Sequence, residues 1–488
     1  MRKKTHSIRY NFVMNFILTA SQFIFPLITF PYVSRILLAE GNGKVSFVAS
    51  VANYFMLVAS LGIPTYGVRA CAQVRDDKEK LSKTVQEIFF INLVMTLLVI
   101  FSYVLCVFTI PRFQLEKELF IINGVNILLN MFGMNWLYQA LEQYDYITFR
   151  SLVFKVLSVG LMFLFVHQKE DYIIYGAITV FAAVGANVLN FIRINNFISF
   201  KRYGKYCVKR HIKPIMILFA QSLAVSIYTN LDTVMLGFMK SDVDVGYYNA
   251  AVKIKTILLS LVTSLGNVLL PRMSYYAKHK LKNEFKDTMV KALNFTVLLS
   301  IPLVIYFVLY AKESILLLAG AGYAGAVLAM QIITIAVIPN GLTGVLGIQV
   351  LTALEKEKYV LYSVTLGAIV DLLLNLSFIP QYGAAGAAFA TTIAEFTVLA
   401  IQVSVTKNML VEVKSQLRIF SYVVLATLSG IICLAIKVLN VNSTFLLLLL
   451  SAITFFGVYC IGLIICKETI VLELIDSIKN KLKKNKRL

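Results

Sequence analysis

The chain has 488 residues, of which 59% are hydrophobic and 15% charged, with a mean hydropathy of +0.78 and a formal net charge of +21. Soluble chains carry about 45–50% apolar and about 25% charged residues, so this surplus excludes a single soluble core and makes lipid the solvent for much of the surface. The net charge leaves nucleic acid and an anionic membrane face as rival partners, and the position of the basic residues decides between them.

Residues 1–9 are basic, and the apolar stretch after them runs past Pro31 with no small-residue cleavage site, which reads as a retained first helix rather than a signal peptide. Apolar runs of spanning length predict an all-α polytopic membrane protein of about fourteen helices. They lie near 10–34, 45–67, 85–110, 118–140, 147–166, 172–194, 214–239, 247–270, 289–310, 326–350, 359–380, 384–406, 419–440 and 444–466. With both termini cytoplasmic, 35 of the 46 Lys and Arg fall in inner segments, eight in outer loops and three (Lys155, Lys253, Lys255) inside helices. That asymmetry fixes orientation in a cytoplasmic membrane and assigns the positive charge to the anionic inner leaflet, with no role for nucleic acid.

The longest and most basic inner loops are 193–213 and 272–291. Across the first the sequence weakly repeats. Leu18-Thr19-Ala20-Ser21 parallels Leu218-Phe219-Ala220-Gln221, Gly43 parallels Gly246, and Ser60-Leu61-Gly62 parallels Ser264-Leu265-Gly266. Six helices separate the copies, so the repeats are parallel, as in transporters with a cavity between two halves. The expected organisation is an N-terminal six-helix bundle (1–200), a second six-helix bundle (201–408), and two further helices with a basic tail (409–488).

Catalytic signatures are missing. Gly41-Asn42-Gly43-Lys44 lacks the spacing and the Ser/Thr of a phosphate-binding loop, and neither HExxH nor GxSxG occurs. Outer loops are too short to host a catalytic domain, which argues against an enzyme. Cys71, Cys106, Cys207, Cys433, Cys460 and Cys466 form no CxxC pair and read mostly as small buried hydrophobes. His6, His167, His211 and His279 fall in loops or tails, so no metal site is expected. Trp136, near the inner end of helix four, reads first as an interfacial anchor.

Several segments are more specific. They are Phe30-Pro31-Tyr32-Val33-Ser34-Arg35-Ile36-Leu37 with Gly41-Asn42-Gly43; Leu61-Gly62-Ile63-Pro64-Thr65-Tyr66-Gly67-Val68-Arg69; Asn135-Trp136-Leu137-Tyr138-Gln139-Ala140-Leu141-Glu142-Gln143-Tyr144; Asn230-Leu231-Asp232-Thr233 with Val245-Gly246-Tyr247-Tyr248-Asn249-Ala250-Ala251; and Gly383-Ala384-Ala385-Gly386-Ala387-Ala388. In order and spacing this set resembles the polysaccharide repeat-unit flippases of the multidrug/oligosaccharidyl-lipid/polysaccharide exporter superfamily, from residue 10 to about 406. One departure is Leu38-Ala39 where the family usually has Leu-Gly. The resemblance implies two six-helix bundles around a central cavity, two extra helices, and movement of a polyprenyl-diphosphate-linked oligosaccharide to the outer leaflet. Implied partners are that lipid-linked oligosaccharide, membrane lipids and other polysaccharide-assembly proteins.

A diphosphate-sugar needs cations for phosphate and polar groups for hydroxyls. Helix one offers the stripe Asn11, Asn15, Thr19, Gln22 and Thr29; helix four offers Asn123, Asn126 and Asn130; helix seven offers Ser222, Ser226, Thr229 and Thr233. The competing reading is that these groups join neighbouring helices. Lys155 is either a cargo contact or a side chain reaching for the interface. Asp232 and Lys253 sit at similar depths and are expected either to pair or to leave Lys253 to phosphate; Lys255 points elsewhere. Arg35 and Arg69 stand at helix ends, as headgroup anchors or cargo contacts. Asp371 and Glu395 fall near the midplane, where a carboxylate is costly, with Asn375 one turn from Asp371. They are candidates for sodium-ion or proton coupling, with structural hydrogen bonding as the alternative; no other cofactor is expected. The rival functions are a multidrug or cation exporter of the same fold, a membrane glycosyltransferase or polymerase, and a peptidoglycan-precursor flippase, which the Trp136 segment disfavours.

Overall fold

A computed structural model of the chain describes residues 8–264, 266–437 and 443–472; the basic ends, 1–7 and 473–488, lie outside them, as does Leu265 of the repeat. Among the described residues every regular element is helical. Ten stretches there are long and apolar enough to cross a membrane, and two of these, Val13–Ala72 and Glu357–Gln416, are 60 residues long. At 1.5 Å per residue such a stretch measures about 90 Å, roughly three times the ~30 Å hydrocarbon thickness. Each must therefore turn back.

The turns occur at single residues. Leu38 takes φ 55° and ψ −170° inside Ile8–Ser60, and the Asn42 side-chain amide donates to its carbonyl at 3.1 Å. A leucine at positive φ is strained, and it sits beside the Leu38-Ala39 departure. Gly383 takes φ 53° and ψ −127° inside Glu357–Val413, a conformation that suits a residue without Cβ. Beyond it Gly386 packs directly on the Phe378 carbonyl. The short link expected between 380 and 384 is thus a one-residue reversal, because helix continues up to it on both sides.

Contacts divide the chain into two compact units, Met1–Gly246 and Tyr247–Leu488. In the first, two helices break where the sequence motifs fall. Leu61 has φ 49° and Met134 φ 39°, so Ile63–Ala72 and Asn135–Ala140 are separate short helices. These two pack together, with Gly67 facing the Trp136 ring so closely that a Cβ there would stand 2.7 Å from it. Trp136 is 5% exposed, which corrects its reading as an interfacial anchor: the break turns its ring into the core. The helix Lys209–Met239 packs on Ile8–Ser60 and on Ile63–Ala72, where Gly62 meets the Ile215 carbonyl. Packing therefore carries this unit to Gly246, whereas the division at 200 follows the repeat. The repeat-related glycines meet each other's segments: a Cβ on Gly43 would run into the Asp242 carbonyl, and one on Gly246 into the Ala39 carbonyl. Arg112 locks the same corner, donating to the Gly237 carbonyl at 2.7 Å and pairing with Asp242.

At the other end of this unit Asp77 caps Lys78–Thr109 by accepting from the Glu79 and Lys80 amides at 3.0 and 3.1 Å. The Lys80 amide bond is the largest of the effects that hold its carboxyl below the usual range.

In the second unit the tenth predicted helix is interrupted, running as Ala326–Ile335, Val337–Thr343 and a π-helical stretch Gly344–Leu351. Ile419–Lys437 and Thr444–Ile465 pack on each other and on Lys282–Leu309. Buried tyrosines staple this trio: Tyr306 donates to the Leu448 carbonyl, Tyr310 to that of Cys433 and Tyr459 to that of Leu298, at 2.8–3.0 Å. The cysteines only partly fit their expected burial. Cys71 and Cys433 are buried, Cys106 is half-buried, and Cys207, Cys460 and Cys466 are exposed.

Candidate functional site

Each unit carries a polar cluster built on its helices. In the first, Lys155 on Tyr144–Phe165 donates to Ser21 Oγ at 2.7 Å and lies over the Phe25 ring. The Ser21 hydroxyl in turn donates a hydrogen bond to the Leu18 carbonyl at 2.6 Å. The ammonium is thus held to the first helix rather than extended to an interface. Around it the expected polar stripe divides. Asn15 and Gln22 are exposed, and Thr19 only bonds the Asn15 carbonyl of its own helix. Among the described residues these three make no side-chain hydrogen bond to a neighbouring helix. On the fourth helix Asn123 is buried and bonds Leu119, and Asn130 donates to Ser60 Oγ at 3.2 Å. Asn126 Oδ1 is buried without a hydrogen-bond partner among the described residues. Asp232 is 4% exposed. Arg35 and Arg69 are exposed; Arg35 donates to the Pro31 carbonyl, and Arg69 lies 5.6 Å from the Tyr66 ring.

In the second unit Glu395 is 3% exposed. Its Oε1 accepts from Asn340 Nδ2 at 2.6 Å and stands 3.6 Å from Lys255 Nζ. That last distance exceeds a good hydrogen bond, so the attraction is coulombic. Lys255 was read only as the lysine off Lys253's face; the helix turn that removes it from that face delivers it to Glu395. Asp371 and Asn375 lie one turn apart on Glu357–Val413 and are both buried, at 1% and 0% exposed. Lys253 is half-buried. Asp232 and Lys253 belong to different units.

A third cluster escaped sequence reasoning. Glu87 is 1% exposed and gathers the end of the 193–213 loop. Its Oε1 accepts from the Cys207 amide at 2.8 Å; its Oε2 accepts from Arg210 Nη2 at 2.6 Å and contacts His211 Nε2 at 2.8 Å. The other ring nitrogen of His211 meets the Tyr66 hydroxyl at 2.6 Å. Gln86 reinforces the anchorage through the Ser199 carbonyl and the Tyr206 hydroxyl. His211 is therefore buried in the first turn of a helix, not loose in a loop. The only signal was an acid near the start of a predicted spanning helix, and its partners lie 120 to 124 residues away. Among the described residues no three metal-ligating side chains converge.

Comparison with known proteins places this geometry. Residues 8–277 match the family described as polysaccharide biosynthesis protein, and residues 218–377 match MatE. A putative O-antigen transporter of Escherichia coli K12 is 25% identical over 82% of this chain and 97% of its own length. One from Shigella dysenteriae is 24% identical over 82% of this chain and 100% of its own. Among solved structures, lipid II flippase MurJ in an inward closed conformation superposes with a TM-score of 0.73 at 16% identity, covering 94% of this chain and 100% of that one. An inward-facing MATE transporter of the MOP superfamily superposes with a TM-score of 0.62 at 12% identity, covering 81% and 96%. At such identities the superpositions speak for the fold. With the family match spanning more than half of a many-helix membrane chain, this protein belongs to the polysaccharide biosynthesis protein family.

Proposed function

We propose that this protein flips a polyprenyl-diphosphate-linked oligosaccharide from the inner to the outer leaflet, as a transporter rather than a covalent catalyst. The carrying observation is the family match over residues 8–277, which the O-antigen transporters extend over nearly their full length. Lys155, hydrogen-bonded to the Ser21 hydroxyl of the first helix, supplies the cation a phosphorylated sugar headgroup asks for. The multidrug reading has a shorter family match, 218–377. Depletion of the protein in its host is expected to strand lipid-linked oligosaccharide on the inner leaflet and abolish surface polymer. Polymer that persists while drug sensitivity rises would favour the multidrug exporter.

The chain is proposed to sit in a bacterial cytoplasmic membrane with both termini and the 193–213 loop inside, on the strength of the basic-residue asymmetry. In a background without native cysteines, Lys312→Cys is expected to react with an impermeant thiol reagent in intact cells and Lys205→Cys to stay protected. Both positions are exposed, so the opposite labelling reverses the orientation. Energy is proposed to enter as a proton or sodium ion at the carboxylates Asp371 and Glu395, with Asn375 as a neighbouring oxygen donor. Their burial supports this, because desolvation disfavours a carboxylate's charge and so favours uptake of a cation.

A further inference from the structure

An apolar groove of about 310 Å³ opens in the second unit between the helices of Leu293, Leu346, Leu399 and Val403. At one end its wall becomes basic. Val403, Lys407, Val411 and Lys414 recur at spacings of three to four and line the same groove, so one helical stripe changes from hydrocarbon-like to cationic as it leaves the membrane. Both lysines are exposed, and neither forms an ion pair with an acid among the described residues. Glu412, between them in sequence, is taken by Lys286.

The rim is also rigid. Buried Asn294 clamps the backbone just after Lys414, donating to the Gln416 carbonyl at 3.0 Å and accepting from the Arg418 amide at 3.1 Å. Arg418 itself is anchored to Glu468 at 3.0 Å. Two cations without an acidic partner among the described residues, one on the helix and one at its clamped end, stand beside an open apolar slot and match one ligand chemistry: an acyl chain carrying an anionic phosphate headgroup.

We propose that this groove is a binding site for one resident anionic phospholipid, its chain along Leu399 and Val403 and its phosphate between Lys407 and Lys414. The site lies at the turn, with Lys414 and Arg418, that joins Glu357–Val413 to Ile419–Lys437, where a bound lipid would brace the two C-terminal helices against the rest of their unit. The inference rests on membrane embedding and on this geometry, not on the identity of the transported cargo.

The test is native mass spectrometry of the full-length protein purified with an equal mixture of phosphatidylglycerol and phosphatidylcholine. Phosphatidylglycerol is expected to be retained selectively. Two lysine attractions of about 1 kcal/mol each make the K407Q/K414Q variant roughly thirtyfold weaker. Leu399→Trp, which fills the slot, should expel either lipid, and Lys286→Gln, which releases Glu412 beside the two lysines, should weaken retention of phosphatidylglycerol. Equal retention of phosphatidylcholine, or undiminished retention by K407Q/K414Q, overturns the site. So does displacement of phosphatidylglycerol by polyprenyl phosphate at equal concentration, which would assign the groove to the carried lipid instead. Because no transport is measured, a failed flippase assignment leaves this outcome untouched.

Discussion

Replacing Lys255 with alanine is expected to destabilise the second unit by about 3–5 kcal/mol, the usual cost of removing one member of a buried ion pair. Glu395 and Lys255 are nearly inaccessible, with side chains 4% and 12% exposed, and face each other at 3.6 Å. With the ammonium gone, the Asn340 amide still donates to Oε1, but one hydrogen bond does not replace a neutralising charge. The carboxyl then either remains charged at high cost or takes up a proton, which limits the loss. The K255A/E395Q double variant removes the stranded charge and keeps an oxygen for Asn340 to donate to. It should therefore recover most of the lost stability, as read from thermal unfolding of the purified protein with K255A and E395Q measured separately. If the double variant is no more stable than K255A, the pair is not what holds Glu395 in place.

The second large effect concerns transport. If Asp371 and Glu395 couple flipping to a cation, an imposed gradient in proteoliposomes should change the wild-type rate. A monovalent cation moving inward gains about 2.3 kcal/mol per 100 mV, which limits the acceleration to roughly fiftyfold at that potential. Asp371→Asn and Glu395→Gln keep the shape of each side chain and remove the charge that would attract the ion, so each should flatten the gradient dependence. Testing proton and sodium gradients separately identifies the ion. A wild-type rate indifferent to both, or variants that keep the full dependence, removes these carboxylates from the energy cycle. Lys255 gives this experiment an internal check: it competes with any incoming cation for Glu395, so K255Q should raise the cation affinity at that carboxylate.

Much of this architecture was legible in the chain itself, because burial in lipid imposes length and composition on every crossing segment. The apolar runs marked the helices. The motif at Leu61–Gly62 and the one at Asn135–Trp136 were visible as unusual sequence, and both coincide with helix breaks. The motif glycine Gly383 turned out to be the reversal point of a 57-residue helical stretch, which local pattern does not distinguish from a short loop. The parallel between Gly43 and Gly246 was likewise visible, but a repeat does not say that its two copies touch. Only the folded backbone placed each glycine against the other's neighbouring carbonyl.

What tertiary structure alone decided is which polar groups meet. Periodicity places Lys255, Glu395 and Asn340 on three separate helices and gives each a face. It does not rank one inter-helix pairing above another, since hydrophobic driving force between helices is weak in lipid and packing sets the register. Trp136 shows the same limit: its type fits an interfacial belt, yet a left-handed Met134 turns it inward against Gly67. Glu87 shows it most plainly. As a sequence symbol it is one acid at a helix start; in the fold it anchors a loop through Cys207, Arg210 and His211, because a buried carboxylate is stable only where donors from distant segments converge on it.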